Sequence, residues 1–419
     1  MAISYLEGDA LSIELIEISG ETSYKNKQEQ RDKLRKEEES LRQNVINNPN
    51  SRRAKLELAK FLFHQNEYSE AEELSYQVLK IDDTNANAFC LLGRIYGFGN
   101  PQNALKSEEN FKKALDIDNE YAKAHYFYAY LLRSRLHRYS EAEEHYKAAM
   151  KLRPDDVTSY NDCAIMLVRQ HRIDEAKKLY EKVLQLQPDH SIAHFNLANL
   201  LRKDLKDYKS AEKHFLISIQ KRPKFTAALN NYATMLHHQL NRFSDAEHYY
   251  KCALQIDPKY SRAHFNYANL CREHLKKYDL AQEHYLLAIQ YDNTNPNFYN
   301  NYGLLLQYAL RKYNKAKKQY EIALKLDNNH ALGHCNYATI LMQMVDKKYN
   351  SNFDERTLSF IKDDNKLSNN NINNDDDDDE DPYYDNDDYN EDYIPNYIIN
   401  KKTINNGYSN NNTNETKQD

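Results

Sequence analysis

Between residues 33 and 349, apolar positions recur three and four apart, in short runs separated by polar breaks; this is the beat of amphipathic helices. The phrases YSEAEE, YKSAEK, FSDAEH and YDLAQE each place a small residue at the same distance from an aromatic one. Following that position gives Ala71, Ser107, Ala142, Ala176, Ala211, Ala246, Ala281 and Ala316, with successive spacings of 36, 35, 34 and then 35 throughout. A second small residue stands 12 to 14 positions earlier in each unit, at Ala59, Gly93, Ala129, Ala164, Ala198, Ala233, Ala268 and Gly303, and Ala338 adds a ninth. Each unit is therefore predicted to be two helices, A and B, whose small residues let the backbones approach where they cross. Twelve positions after the anchor stand Pro154, Pro188, Pro223 and Pro258. Proline stops helix B because it lacks the amide a continuing helix needs. Pro49 marks an extra half-unit before the first. One hairpin cannot bury its apolar face alone, so the units are expected to stack into a solenoid with one continuous core.

The unit at residues 157–190 fits the 34-residue pattern closely, and the array resembles the tetratricopeptide repeat (TPR) family over residues 33–346. The resemblance implies an all-α superhelical solenoid of eight helix-turn-helix hairpins, capped by half-repeats. Most units are one residue longer than the family pattern. The added position is Leu136, Leu205, Leu240, Leu275 or Leu310, followed three residues later by Tyr139, Tyr208, Phe243, Tyr278 or Tyr313, which reads as a hydrophobic clasp at the turn. Pentatricopeptide repeats, which bind RNA, have similar length, but there the extra length follows helix B; here it lies between A and B. RNA binding is the weaker reading.

A helical wheel divides helix A. Positions −4, −1, +2 and +3 from the small residue hold Leu197, Leu200 and Leu201, or Tyr267, Leu270 and Cys271, and should be core. Positions −3, −2, +1, +4 and +5 form the opposite stripe, which the TPR resemblance places in a concave channel. At −2 stand Asn196, Asn231, Asn266, Asn301 and Asn336, preceded by Asp162, with Asn199 and Asn269 at +1 in alternate units. A carboxamide both donates and accepts, so it can pair with the backbone of an extended peptide. The row resembles the asparagine ladder in the TPR superhelix of O-linked N-acetylglucosamine transferase, without that enzyme's catalytic domain. Duplicated repeats would also inherit such a row with no function attached. Phe195 and Phe265 at −3 are expected to floor apolar pockets between the amides. Arg133, Arg202 and Arg272 at +4, beside Arg169, Lys203, His237 and His238, are expected to make a basic floor suited to acidic ligands. The carboxylate clamp of chaperone-binding TPR domains is not matched, since −3 never holds Lys and −2 never holds Arg.

Composition narrows the function. Eight Gly in 419 residues leave little for phosphate loops or catalytic turns, and no GxxxxGK[ST] or GxGxxG frame occurs. Gly93, Gly97, Gly99 and Pro101 are expected to form an irregular loop. Five Cys without a CxxC pair argue against a disulfide framework or zinc site. Three His pairs about 20 residues apart (His125 with His145, His194 with His214, His264 with His284) sit on the core side and read as packed side chains rather than ligands. No cofactor and no metal are expected. No apolar run reaches the length of a membrane span, and no signal-peptide pattern opens the chain; the expected location is the cytoplasm, with the nucleus left open.

Charge splits the chain. Residues 350–419 carry 18 acidic and 6 basic side chains, a net of −12 within a whole of −6, which leaves +6 for residues 1–349. That Asn-, Asp- and Tyr-rich tail is low-complexity and is expected to be disordered, as is the segment 1–32. The tail could dock on the basic body of its own chain. The expected function is a non-catalytic scaffold or adaptor that binds an extended, acidic segment of a partner protein in its A-helix channel. The alternative is a regulatory or substrate-recruiting subunit of an enzyme complex.

Overall fold

A computed structural model of the chain describes residues 20–99 and 103–349. The expected disordered tail and the first residues of the chain lie outside them. Among the described residues there are helices and turns and no strand. Two compact units divide at Ser159 and Tyr160.

The first unit contains α1 (Gly20–Asn47), α2 (Arg52–His64), α3 (Tyr68–Ile81), α4 (Ala86–Gly99), α5 (Ala104–Ile117), α6 (Ala122–Ser134) and α7 (Tyr139–Leu152). The division falls in the first turn of α8 (Val157–Arg169). The second unit continues with α9 (Ile173–Leu186), α10 (Ser191–Lys203), α11 (Tyr208–Lys221), α12 (Thr226–His238), α13 (Phe243–Ile256) and α14 (Ser261–Leu270). It ends with α15 (Tyr278–Tyr291), α16 (Pro296–Leu304), α17 (Tyr313–Leu326) and α18 (Ala331–Tyr349). Helices α2 to α17 are the A and B helices of eight successive hairpins, with α1 a half-unit before them and α18 a half-unit after. The proline rule holds: α7, α9, α11 and α13 each end two residues before Pro154, Pro188, Pro223 or Pro258. Helix α1 begins at Gly20, so the expected boundary at residue 33 falls inside it. From residue 27 to 43 it is rich in strong helix formers (Lys, Glu, Gln, Arg, Leu), with Arg35 and Glu39 paired one turn apart at 3.0 Å.

Both small positions are where the helices cross. Every anchor from Ala71 to Ala316 is completely buried, as are Ala59, Ala129, Ala164, Ala198, Ala233 and Ala268. Helix B answers with an aromatic ring one turn after its anchor: Phe111, Tyr146, Tyr180, Phe215, Tyr250, Tyr285 and Tyr320, all buried. Glycine replaces alanine where that ring comes closest. A Cβ on Gly93 would stand 2.6 Å from Phe111 and one on Gly303 2.5 Å from Tyr320. The glycines expected to make a loop instead lie inside α4. A Cβ on Gly97 would stand 3.0 Å from the Ser107 hydroxyl, and one on Gly99 2.9 Å from the Tyr68 ring. They are there for close packing.

The added residue of the longer units is absorbed at the end of helix A. In the shorter units the turn closes with Glu67 N–H donating to Leu62 O and Arg172 N–H to Leu167 O, both at 2.9 Å. In the longer ones the bond reaches one residue further back, as from Arg138 to Leu132 (2.9 Å), Asp207 to Leu201 (2.9 Å), Arg242 to Leu236 (2.8 Å) and Lys312 to Leu306 (2.7 Å). Twice the widening forms a π-type turn, at Cys271–Leu275 and Leu305–Ala309. The residue after each added Leu then takes the left-handed conformation: His137, Lys206, Asn241, Lys276 and Arg311, with φ between 53° and 57°. Asn66 and His171 do the same in shorter units.

Candidate functional site

The amide row lies within the second unit, on α8, α10, α12, α14, α16 and α18. One repeat and the next place their A helices side by side, and the amides bond across that gap. Asn196 Nδ2 donates to Asn161 Oδ1 (3.1 Å), and Asn231 to Asn199 (3.1 Å). Asn266 donates to Asn230 (3.2 Å), Asn301 to Asn269 (3.4 Å) and Asn336 to Asn300 (2.8 Å). The acceptor alternates between positions −3 and +1 because Asn occupies them in alternate units. Side-by-side bonds complete each segment: Asn161 Nδ2 donates to Asp162 (3.1 Å), Asn230 to Asn231 and Asn300 to Asn301 (both 3.2 Å).

This arrangement overturns the picture of an open ladder. Asn196, Asn199, Asn266, Asn269 and Asn301 are at most 7% exposed, while Asn231 and Asn336 are half-buried. The wheel gives the face of a helix within its own hairpin; it does not give how tightly the next repeat closes over that face. Here it closes to side-chain hydrogen-bonding distance, and the amides satisfy one another, as buried polar groups must.

The other expected site residues are also covered. Phe195 is completely buried, with ring centroids 6.2 Å from Phe215 and 4.9 Å from Phe225. Phe265 is buried against Tyr285 and Phe298, at 6.1 and 4.8 Å. Both fill the core between repeats and floor no open pocket. The basic floor is likewise absent as an exposed surface at three of its four Arg positions. Arg133, in the first unit, is buried with its guanidinium 4.9 Å from the Tyr130 ring centroid, and Arg202 is buried. Arg272 donates through Nε to the Tyr285 hydroxyl (3.0 Å) and pairs with Glu273. Arg169 alone of the four is exposed.

The histidine pairs are packed, as their core position implied. His194 Nε2 lies 3.0 Å from the Pro188 carbonyl, so it must carry the proton, and its Nδ1 accepts from His214 Nδ1 at 2.8 Å. His264 repeats this with Pro258 (3.1 Å) and His284 (2.7 Å), and His125 with Asn119 (3.0 Å) and His145 (2.8 Å). Burial, and then the neighbouring imidazole, push His145, His214 and His284 down to about 4.

What remains accessible is the edge where A helices end and turn into B. There His171, Lys206, Asn241, Lys276 and Arg311 are exposed, one per unit, each on a left-handed backbone. His238 and Tyr308 are exposed beside them, and Lys203 is half-buried. Nearby carboxylates are engaged locally: Asp207 caps α11 through Ser210 N–H (3.1 Å), Glu175 pairs with Arg172 (2.6 Å) and Asp245 with Arg242 (2.8 Å). At four of the five positions the sequence carried the signal in the added Leu, which Lys206, Asn241, Lys276 or Arg311 follows.

No helix among the described residues is long and apolar enough to cross a membrane. Sequence models described as Tetratricopeptide repeat match residues 38–86, 164–224 and 233–296, and a second such model matches 122–156 and 296–330. No curated protein matches the sequence. Among solved structures the chain is similar to one described as the crystal structure of the APC/C hetero-tetramer Cut9-Hcn1, with a TM-score of 0.51 and 16% identity over 74% of this chain and 60% of that one. It is also similar to yeast Tom70, with a TM-score of 0.50 and 16% identity over 70% of this chain and 61% of that one. The chain thus spans about 60% of the length of each, and at such identity the likeness is one of fold. Paired helices crossing at small residues, units of near-constant length and matched segments through both compact units make this chain a member of the tetratricopeptide repeat family.

Proposed function

We propose that the protein is a non-catalytic interaction scaffold whose second unit takes an extended, acidic segment of a partner protein along the A-to-B turn edge. The observation that carries this reading is the exposed row at His171, Lys206, Asn241, Lys276 and Arg311. Its left-handed backbones fix the positions, so little ordering entropy is lost when a ligand binds. Neighbouring helices pack about 8–10 Å apart, and extended chain spans about 3.3 Å per residue, so one contact per unit suits every third residue of a strand-like ligand. Asn231 and Asn336, the row amides that retain exposed surface, add hydrogen bonds to its backbone. Family membership supports protein partners, and the glycine-poor sequence supports the absence of a catalytic loop.

The test is affinity capture with quantitative mass spectrometry, comparing wild type with a Lys206→Glu, Lys276→Glu, Arg311→Glu variant shown to be folded by circular dichroism. Partners of this edge should be lost from the variant and released from wild type by salt, because exposed charges are screened within about 3 Å at 1 M. Unchanged recovery of every partner would refute the edge as the binding surface. A chain ending at residue 349 tests whether the acidic tail competes: it should capture more partner at low salt.

A further inference from the structure

At the end of α12, His237 and His238 face Glu273 of the π-type turn that follows α14, and we propose that these three side chains bind a zinc ion bridging two successive repeats. Their donor atoms all lie within 4.8 Å of one another. Around a four-coordinate zinc with bonds near 2.0–2.1 Å, neighbouring donors stand about 3.4 Å apart. The exposed His238 ring stacks on His237 with centroids 3.8 Å apart, so it is the side chain that must turn to close the difference.

The ligand set is prepared in three ways. First, His237 is completely buried, yet neither ring nitrogen has a hydrogen-bond partner; Nε2 lies 3.6 Å from Glu273 Oε2. Buried imidazoles normally find partners, as the three packed pairs of this protein do. An unpaired one aimed at a carboxylate has the geometry of a ligand. Second, Arg272 pairs with Glu273 Oε1 and is itself held by the Tyr285 hydroxyl, which leaves Oε2 turned toward His237. Such outer hydrogen bonds orient a ligating carboxylate. Third, the two histidines are the last residues of α12, where the helix dipole favours a cation.

Two imidazoles and a carboxylate suit zinc and related divalent metals rather than calcium or magnesium, and solvent reaches the exposed His238 to supply a fourth ligand. The π-type turn is what brings Glu273 into place, since it rotates the end of that helix relative to a regular one.

The full-length protein, stripped with chelator, should be titrated with zinc chloride by calorimetry and with cobalt(II) as a visible-absorbance probe. Wild type should show one tight equivalent whose binding raises Tm. His238→Ala, which removes an exposed ring, and Glu273→Gln, which keeps the side-chain shape, should each weaken that equivalent at least about 10-fold and shrink the shift in Tm. Absence of a tight equivalent in wild type would overturn the proposal. Equal affinity in wild type and both variants would do the same, placing the metal elsewhere. His237→Phe tests the buried ligand: a folded variant that keeps wild-type affinity would also refute it.

Discussion

The two compact units use one backbone plan and fill the inner stripe of their A helices with different chemistry. In the second unit the stripe is a chain of amides bonded from repeat to repeat, from Asn161 to Asn336. In the first, the stripe instead brings a cation and aromatic rings together. The Arg94 guanidinium lies 4.4 Å from the Phe63 ring centroid and 4.2 Å from that of Phe127, and Phe98 stacks on Tyr130 at 5.3 Å. Both solutions fill the space between adjacent A helices and leave the small-residue crossings unchanged. The difference teaches that the stripe is a joint between repeats, built either from directional hydrogen bonds or from cation–ring contacts. A row of one residue type at repeat spacing is therefore not by itself a ligand-binding row.

The shared plan should fail equally in both units when its core is cut. Tyr146→Ala in the first and Tyr250→Ala in the second each remove a buried ring from an A–B crossing and should cost about 3–5 kcal/mol, read by urea unfolding. A loss confined to one unit would break the claim of a common core.

The joints should respond differently. Asn266→Ala strands the buried partner amide of Asn230 and should cost about 1–3 kcal/mol, contrary to the expectation for a channel-facing side chain. Arg94→Met, which keeps the packed stem and loses the cation–ring attraction, should cost less, about 0.5–2 kcal/mol. Thermal melts of the two variants compare amide and aromatic joints directly.

Acid should weaken the second unit more than the first. Its two pairs, His194–His214 and His264–His284, face one pair, His125–His145, in the first. His145, His214 and His284 are held near 4 in the folded protein, below the value of about 6.5 in an unfolded chain. The unfolded state therefore takes up protons first. The stability these groups contribute is complete above about pH 6.5 and is lost as pH falls through about 4. Hydrogen exchange measured at pH 7 and pH 5 should show the larger loss of protection in α10–α15. Replacing His214 and His284 with Phe should flatten that response.

The smallest effect is expected at the turns, and it should be a gain. Lys206→Gly or Arg311→Gly relieves a left-handed conformation that costs a side-chain-bearing residue about 1–2 kcal/mol, offset in part by the freer unfolded glycine. A net stabilisation of roughly 0.5–1 kcal/mol should appear in the melt, and His137→Gly should give the same in the first unit. A loss at all three would mean that the turn side chains hold the turn closed.

The sequence determined the number of hairpins, the crossing residues, the helix stops and the core side of each A helix. These follow from short-range rules: a 3.6-residue period, the steric demand of a crossing, and the missing amide of proline. Tyr267 and Leu270, assigned to the core from the wheel, are buried, and so are His194 and His264 of the histidine pairs. Tertiary structure alone decided the fate of the stripe. Whether Asn196, Phe195 or Arg202 meets solvent depends on the distance to the next repeat, which is set by contacts about 35 residues away and leaves no mark on the period within one helix. The same holds for the meeting of His237 with Glu273. Those residues are far apart in sequence, and the widened turn after α14 rotates the glutamate toward the histidine. Local periodicity fixes what a helix buries against its own partner; the spacing and rotation of the neighbouring repeat fix what stays open.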